Sequence, residues 1–124
     1  MRENKYRAWN GEAMMLDLTM RANGYSEHAP IRLCSFPGYE FMQYTGLDDR
    51  KGTPVYEGDI IFFIKTYKDP ELPKTAYMKV TFDRGCFWGE NTDWQEPLFE
   101  LIDGGEIEVI GNIFKNPEKA EELL

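Results

Sequence analysis

Apolar and polar residues alternate with a period of two along "MMLDLTM", where Met14, Leu16, Leu18 and Met20 oppose Met15, Asp17, Thr19 and Arg21. That spacing predicts a strand. "YEFMQYT" from Tyr39 is rich in strand-forming aromatics, and "DIIFFIKTY" is a β-branched and aromatic run suited to a strand buried on much of both faces. "AYMKVTF" sets Met78, Val80 and Phe82 against Lys79 and Thr81. "PLFELIDGGEIEVIGNIF" reads as strand, turn at Asp103 to Gly105, strand, with Ile107, Val109 and Ile113 on one face and Glu106 and Glu108 on the other. A helix is predicted only at the tail, "NPEKAEELL", with Asn116 as N-cap, Pro117 at the first helical position and Glu118 favoured by the helix dipole. So short a helix needs a docking surface, and Leu123 and Leu124 are its anchor. Arg21 to Arg32 and Thr66 to Thr75 read as loops. The class is mainly β, with strands from Asp59, Ala76 to Phe82, Pro97 to Ile102 and Glu106 to Phe114 sufficient for one strongly twisted sheet that Gly111 would bend or bulge.

Between two apolar runs lies "YTGLDDRKGTPVYEGDI", Tyr44 to Ile60, with six charged residues, three glycines and a proline. "DDRKG" suits a chain reversal, and "TPVYEGD" a short extended piece followed by a second sharp turn. Gly46, Gly52 and Gly58 would supply positive φ angles, and Asp48 and Asp59 would accept hydrogen bonds from nearby backbone N–H groups. The competing reading makes Asp48, Asp49, Glu57 and Asp59 a carboxylate cluster for a divalent ion or for general acid/base chemistry. An EF-hand loop from Asp48 would place Arg50 where an oxygen ligand is required, so turning is favoured.

At 124 residues, 42% hydrophobic and 15% aromatic, the chain fits one ordered domain. Its longest purely apolar run, Ile60 to Ile64, is too short to span a bilayer, and the start has no signal-peptide pattern, so no membrane association and a cytoplasmic location are expected. Cys34 and Cys86 lie far apart with no CxxC pair, which predicts buried free thiols. The net charge of −8 is carried by residues 90–124, where ten acidic residues face only Lys115 and Lys119. That field disfavours a phosphate backbone as partner. The sequence carries no phosphate-loop, dinucleotide, zincin or esterase signature. No catalytic residue, metal or cofactor is expected, and a Cys34–His28 nucleophile pair has no further support. In "GCFWGENTDW", Trp88 and Trp94 could grip a partner, though burial of Trp88 in the core or an oligomer contact is the plainer expectation.

"MQYTGLDDRKGTPVYEGDII", "IEVIGNIFKNPE" and "KYRAWN" together resemble the YopX family of phage and prophage proteins, with its YTGLxDxxGxxIYEGDI, VIGNIxxNPELL and KxRxW-type motifs. Val55 replaces the usual Ile, "PEKAEELL" inserts residues before the final Leu pair, and residues 22–38 and 69–94 match no motif. The resemblance implies an N-terminal β region over 1–44, an SH3-like barrel over 45–116, a terminal helix over 117–124 and a phage-borne origin in a bacterial host. It implies no activity. The expected function is a non-catalytic, self-associating protein-interaction module, with Trp88, Trp94, Glu106 and Glu108 as its candidate surface. The alternatives are nucleic-acid binding through Arg2, Lys5, Arg7, Trp9 and Arg21, and a metal-dependent hydrolase using the Asp48 to Asp59 carboxylates.

Overall fold

The computed structural model describes residues 5–19, 40–66 and 74–123, without the side chains of residue 5 and residues 16–19. The strands are β1 (Lys5–Trp9), β2 (Met14–Thr19), β3 (Glu40–Asp48), β4 (Pro54–Tyr56), β5 (Asp59–Lys65), β6 (Thr75–Asp83), β7 (Cys86–Glu90), β8 (Gln95–Pro97) and β9 (Gly105–Asn112). Two short helices follow β8 and β9: α1 (Leu98–Gly104) and α2 (Pro117–Glu122). Among the described residues the strands form a four-stranded sheet, β2-β1-β3-β4, and a five-stranded sheet, β8-β7-β6-β5-β9, in which all recorded pairings are antiparallel. None of the described helices is long and apolar enough to cross a membrane.

The five-stranded sheet curls into a half-barrel around one apolar cluster. Ile61 and Phe63 of β5, Met78 and Val80 of β6, Phe87 of β7 and Ile107 of β9 face inward, and Val55 of β4 joins them from the other sheet. Burial of these side chains removes them from water at about 1.5–3 kcal/mol each, the main favourable term in so small a fold. A bulge sets Ile60 opposite Gly111 and Ile61 opposite Val109, leaving Ile110 between them, 37% exposed. The distortion predicted at Gly111 is thus a bulge that Ile110 and Gly111 share.

The predicted strand from Pro97 to Ile102 is instead a helix. Leu98 and Leu101, three apart, are both buried, and this spacing is satisfied by one apolar helical face lying across the open end of the half-barrel. The approach is close: a Cβ at Gly89 of β7 would sit 2.6 Å from Leu101 Cδ1. The Asp103-Gly104-Gly105 segment therefore joins helix to strand and closes no hairpin.

The stretch that raised the metal question turns the chain and covers an edge. Gly46, Gly52 and Gly58 adopt φ of 86°, 84° and 88°, as the turn reading requires. β3 continues past Tyr44 to Asp48, and it is Asp49, not Asp48, that organises the reversal. Asp49 Oδ1 accepts the amides of Lys51 and Thr53, each at 2.9 Å, and Oδ2 accepts the amide of Val109 at 2.9 Å. Arg50 N–H donates to the carbonyl of Ile107 at 3.0 Å. The loop thus lies along the free edge of β9, where unpaired strand groups would otherwise invite another chain. Asp48 accepts only the Tyr44 hydroxyl, at 2.6 Å, among the recorded side-chain bonds.

Candidate binding cleft between the two sheets

Three sequence segments far apart in the chain converge where the four-stranded sheet meets the outer face of the half-barrel. From "KYRAW", Arg7 enters the interior, and its Nη2 lies 2.7 Å from Asp59 Oδ1, both side chains being under 10% exposed. The same guanidinium donates to the Glu57 carbonyl at 3.2 Å and stands 4.8 Å from the centre of the Tyr56 ring. From "YEGD", Asp59 Oδ2 accepts the Tyr56 amide at 2.8 Å and so closes the turn through Gly58. Burial pushes the Asp59 carboxyl up, while Arg7 and the Tyr56 amide pull it back without cancelling that push.

From "GNIFKNP", Asn112 and Asn116 lock a turn reciprocally. Asn116 Oδ1 accepts the Asn112 amide at 3.2 Å, and Asn112 Oδ1 accepts the amides of Phe114 and Lys115 at 3.0 and 2.9 Å. Gly111 is required here because a Cβ would collide with Asn116 Oδ1. Asn116 does cap α2 by position, but its side chain serves this turn and leaves the helix N-terminus without a side-chain cap. The Ile113 amide then donates to the Gly58 carbonyl at 2.9 Å, joining this turn to the previous one. Phe114 stacks on Trp9 with ring centres 5.5 Å apart.

Above these turns opens a cleft of about 360 Å³, within the usual range of small ligand sites. Phe41, Phe82 and Phe114 give it aromatic walls, and Glu57, Lys79 and Thr81 are among its polar lining. Burial pushes the Glu57 carboxyl up; an interaction with the Gln43 amide and the charge of Arg7 act against it and do not prevail. Lys79 Nζ lies 3.9 Å from Glu90. The Thr81 hydroxyl oxygen is buried with no hydrogen-bond partner among the described residues.

The site residues read from the sequence do not assemble as expected. Arg7 is a correction: its charge is taken up by Asp59 inside the fold and is not offered to a phosphate. Trp9 packs on Phe114, the side chain of Lys5 is not described, and Arg2 and Arg21 lie outside the described residues, as do His28 and Cys34. Cys86 is half-buried. The two tryptophans are placed differently from each other. Trp88 points to the outer face, its indole N–H donating to the Asp83 carbonyl at 2.9 Å and Arg84 lying over its ring, while Trp94 packs edge-on against Phe63 of the core. Phe82, 48% exposed, packs on Phe87 at the rim of the core. Glu106 and Glu108 stand on β9, three strands away from Trp88, and bond to Arg50 and Lys51. The four expected surface residues therefore do not form one patch. The four carboxylates of the hydrolase reading have separate roles, Asp49 on backbone amides and Asp59 on Arg7, and no group of three or more potential metal ligands occurs among the described residues. The cleft itself escaped the sequence reading because its lining comes from β3, β6 and the turns on either side of β5 and β9, which no local pattern connects.

A half-barrel with an N-terminal sheet folded against its outer face defines a small, mainly β module. The YopX protein family matches over residues 5–121, and the chain belongs to that family. Two solved structures share the fold. Protein EF1440 from Enterococcus faecalis is 22% identical, with 96% of this chain and 99% of that one covered and a TM-score of 0.61. Protein YopX from Bacillus subtilis is 23% identical, with 97% of each chain covered and a TM-score of 0.58. No curated protein matches the chain.

Proposed function

We propose that the chain acts as a non-catalytic protein-interaction module, working as one unit over its length and self-associating, in the cytoplasm of a bacterial host that carries the phage or prophage encoding it. The observation that carries this reading is that large aromatic side chains are left about half exposed at separate points of the described surface. Phe82 is 48% exposed beside the cleft, Tyr77 47% on the opposite face of the same strand beneath Lys119, and Phe99 59% on α1. Aromatic side chains supply much of the energy of protein interfaces, and leaving several half-exposed on a small fold is what a docking surface requires. The nucleic-acid alternative is weakened by the loss of Arg7 to the interior.

The test is affinity purification of a tagged copy expressed in its host, with cross-linking, a nuclease-treated control and light scattering on the eluate. A stoichiometric protein partner that survives nuclease, together with a mass above that of one chain, is the expected result. A monomer that captures no protein would sink the proposal, and nuclease-sensitive nucleic acid in the eluate would put the alternative in its place.

A further inference from the structure

We propose that the cleft between the two sheets is an anchor pocket for an arginine side chain of a partner protein. This rests on the reading of the chain as an interaction module and names the chemistry of its partner.

The lining selects this occupant by elimination. An anion is disfavoured, because Glu57 and Glu40 line the cleft and its one cation, Lys79, lies beside Glu90. A purely apolar group would leave Glu57 in a still drier setting and the buried Thr81 oxygen unpartnered, and both are costly. What fits is a group with an apolar body, a positive charge and several N–H donors. Phe41, Phe82 and Phe114 are among the lining, as are the acceptors Glu57 and Thr81. A guanidinium stacks on aromatic faces, presents its donors in a planar fork and is more weakly hydrated than an ammonium, so it enters such a site at lower cost than lysine. Arg7 already shows this chemistry inside the same fold, between the Asp59 carboxylate and the Tyr56 ring. The formal charge of −8 would draw a basic partner toward the chain.

The probe is N-acetyl-L-arginine methylamide, titrated into the full isotope-labelled chain and followed by amide NMR shifts, with the lysine analogue in parallel. Saturable shifts centred on Gly58, Thr81 and Phe82 are expected, with the lysine analogue weaker. Glu57→Gln should weaken arginine binding by about tenfold through loss of the charge-assisted bond. Phe82→Ala, at a half-exposed position, should also weaken it. No saturable shift, shifts centred elsewhere, or equal binding by both folded variants would overturn the assignment. A partner captured from the host whose binding is unchanged by both substitutions would also sink the pocket while leaving the interaction reading intact. Arginine-specific binding in a chain that captures no partner would do the reverse.

Discussion

Asp49 shows how much a single side chain can hold together in a fold of this size. Its two oxygens accept three backbone amides, two within its own turn and one on β9, sixty residues away. Burial raises the carboxyl pKa, but the amides of Val109, Thr53 and Lys51 and the charge of Lys51 outweigh it, and the net result lies below the ordinary 3.8. Asp49→Ala is expected to cost about 2–4 kcal/mol in denaturant unfolding, since three amides lose their acceptor. The pH dependence has a definite sign. A carboxyl depressed in the folded state stabilises above its unfolded pKa, and that contribution is lost as pH falls through the folded value. The stability gap between the native chain and Asp49→Asn should therefore be full near neutrality and close progressively below about pH 3.8; a gap constant down to pH 2 would contradict the assignment. Arg7 makes the opposite point, since its removal strands a charge. Arg7→Met should cost about 3–5 kcal/mol by leaving Asp59 buried and unpaired, and adding Asp59→Asn should recover part of that loss in a double-mutant cycle.

At the scale of elements, a strand was legible where one face is buried and the period of two survives, as in β6, and where a β-branched and aromatic run is buried on much of both faces, as in β5. The turns were legible from Gly46, Gly52 and Gly58, whose positive φ angles follow from residue type. Where the reading failed, tertiary contacts decide between two local options. "PLFELI" fits either a strand or a single helical turn. The helix is selected because Gly89 leaves a hollow on β7 that Leu101 fills, a fact carried by a residue twelve positions away. Gly89→Ala tests this directly. Its Cβ would meet Leu101 Cδ1 at 2.6 Å, so the Leu101 side chain must leave its place or α1 must shift, at a cost of about 1–3 kcal/mol in unfolding experiments. A neutral effect would show that the helix does not depend on that contact. The cleft was illegible for the same reason on a larger scale: Glu57 looked like part of an acidic loop until β3 and β6 were brought against it.

Across the whole molecule, the two sheets are coupled by more than the chain that joins them. Ile60 faces away from the barrel core and is nonetheless fully buried, on the side where Met42 of β3 meets Gly58. The Arg7–Asp59 pair crosses the same junction, and Trp9 of β1 stacks on Phe114 beyond β9. Removing the N-terminal sheet would expose Ile60 and leave Asp59 without its cation, so the half-barrel cannot keep its present surface without that sheet. Helix α2 adds a second brace: Leu123 is buried and Lys119 stands 4.9 Å over the Tyr77 ring on the outer face. The expected consequence is one cooperative unit rather than a stable barrel with a loose appendage. Native-state hydrogen exchange reads this out, because amides of β1 and β3 should open with the same free energy as those of β5. Arg7→Met should lower β1 and β3 first, while β5 retains more of its protection, since neither Arg7 nor Asp59 belongs to the barrel core cluster. Free exchange of β1 in the unmodified chain, with β5 protected, would show instead that the ion pair is an ornament and that the cleft has one mobile wall.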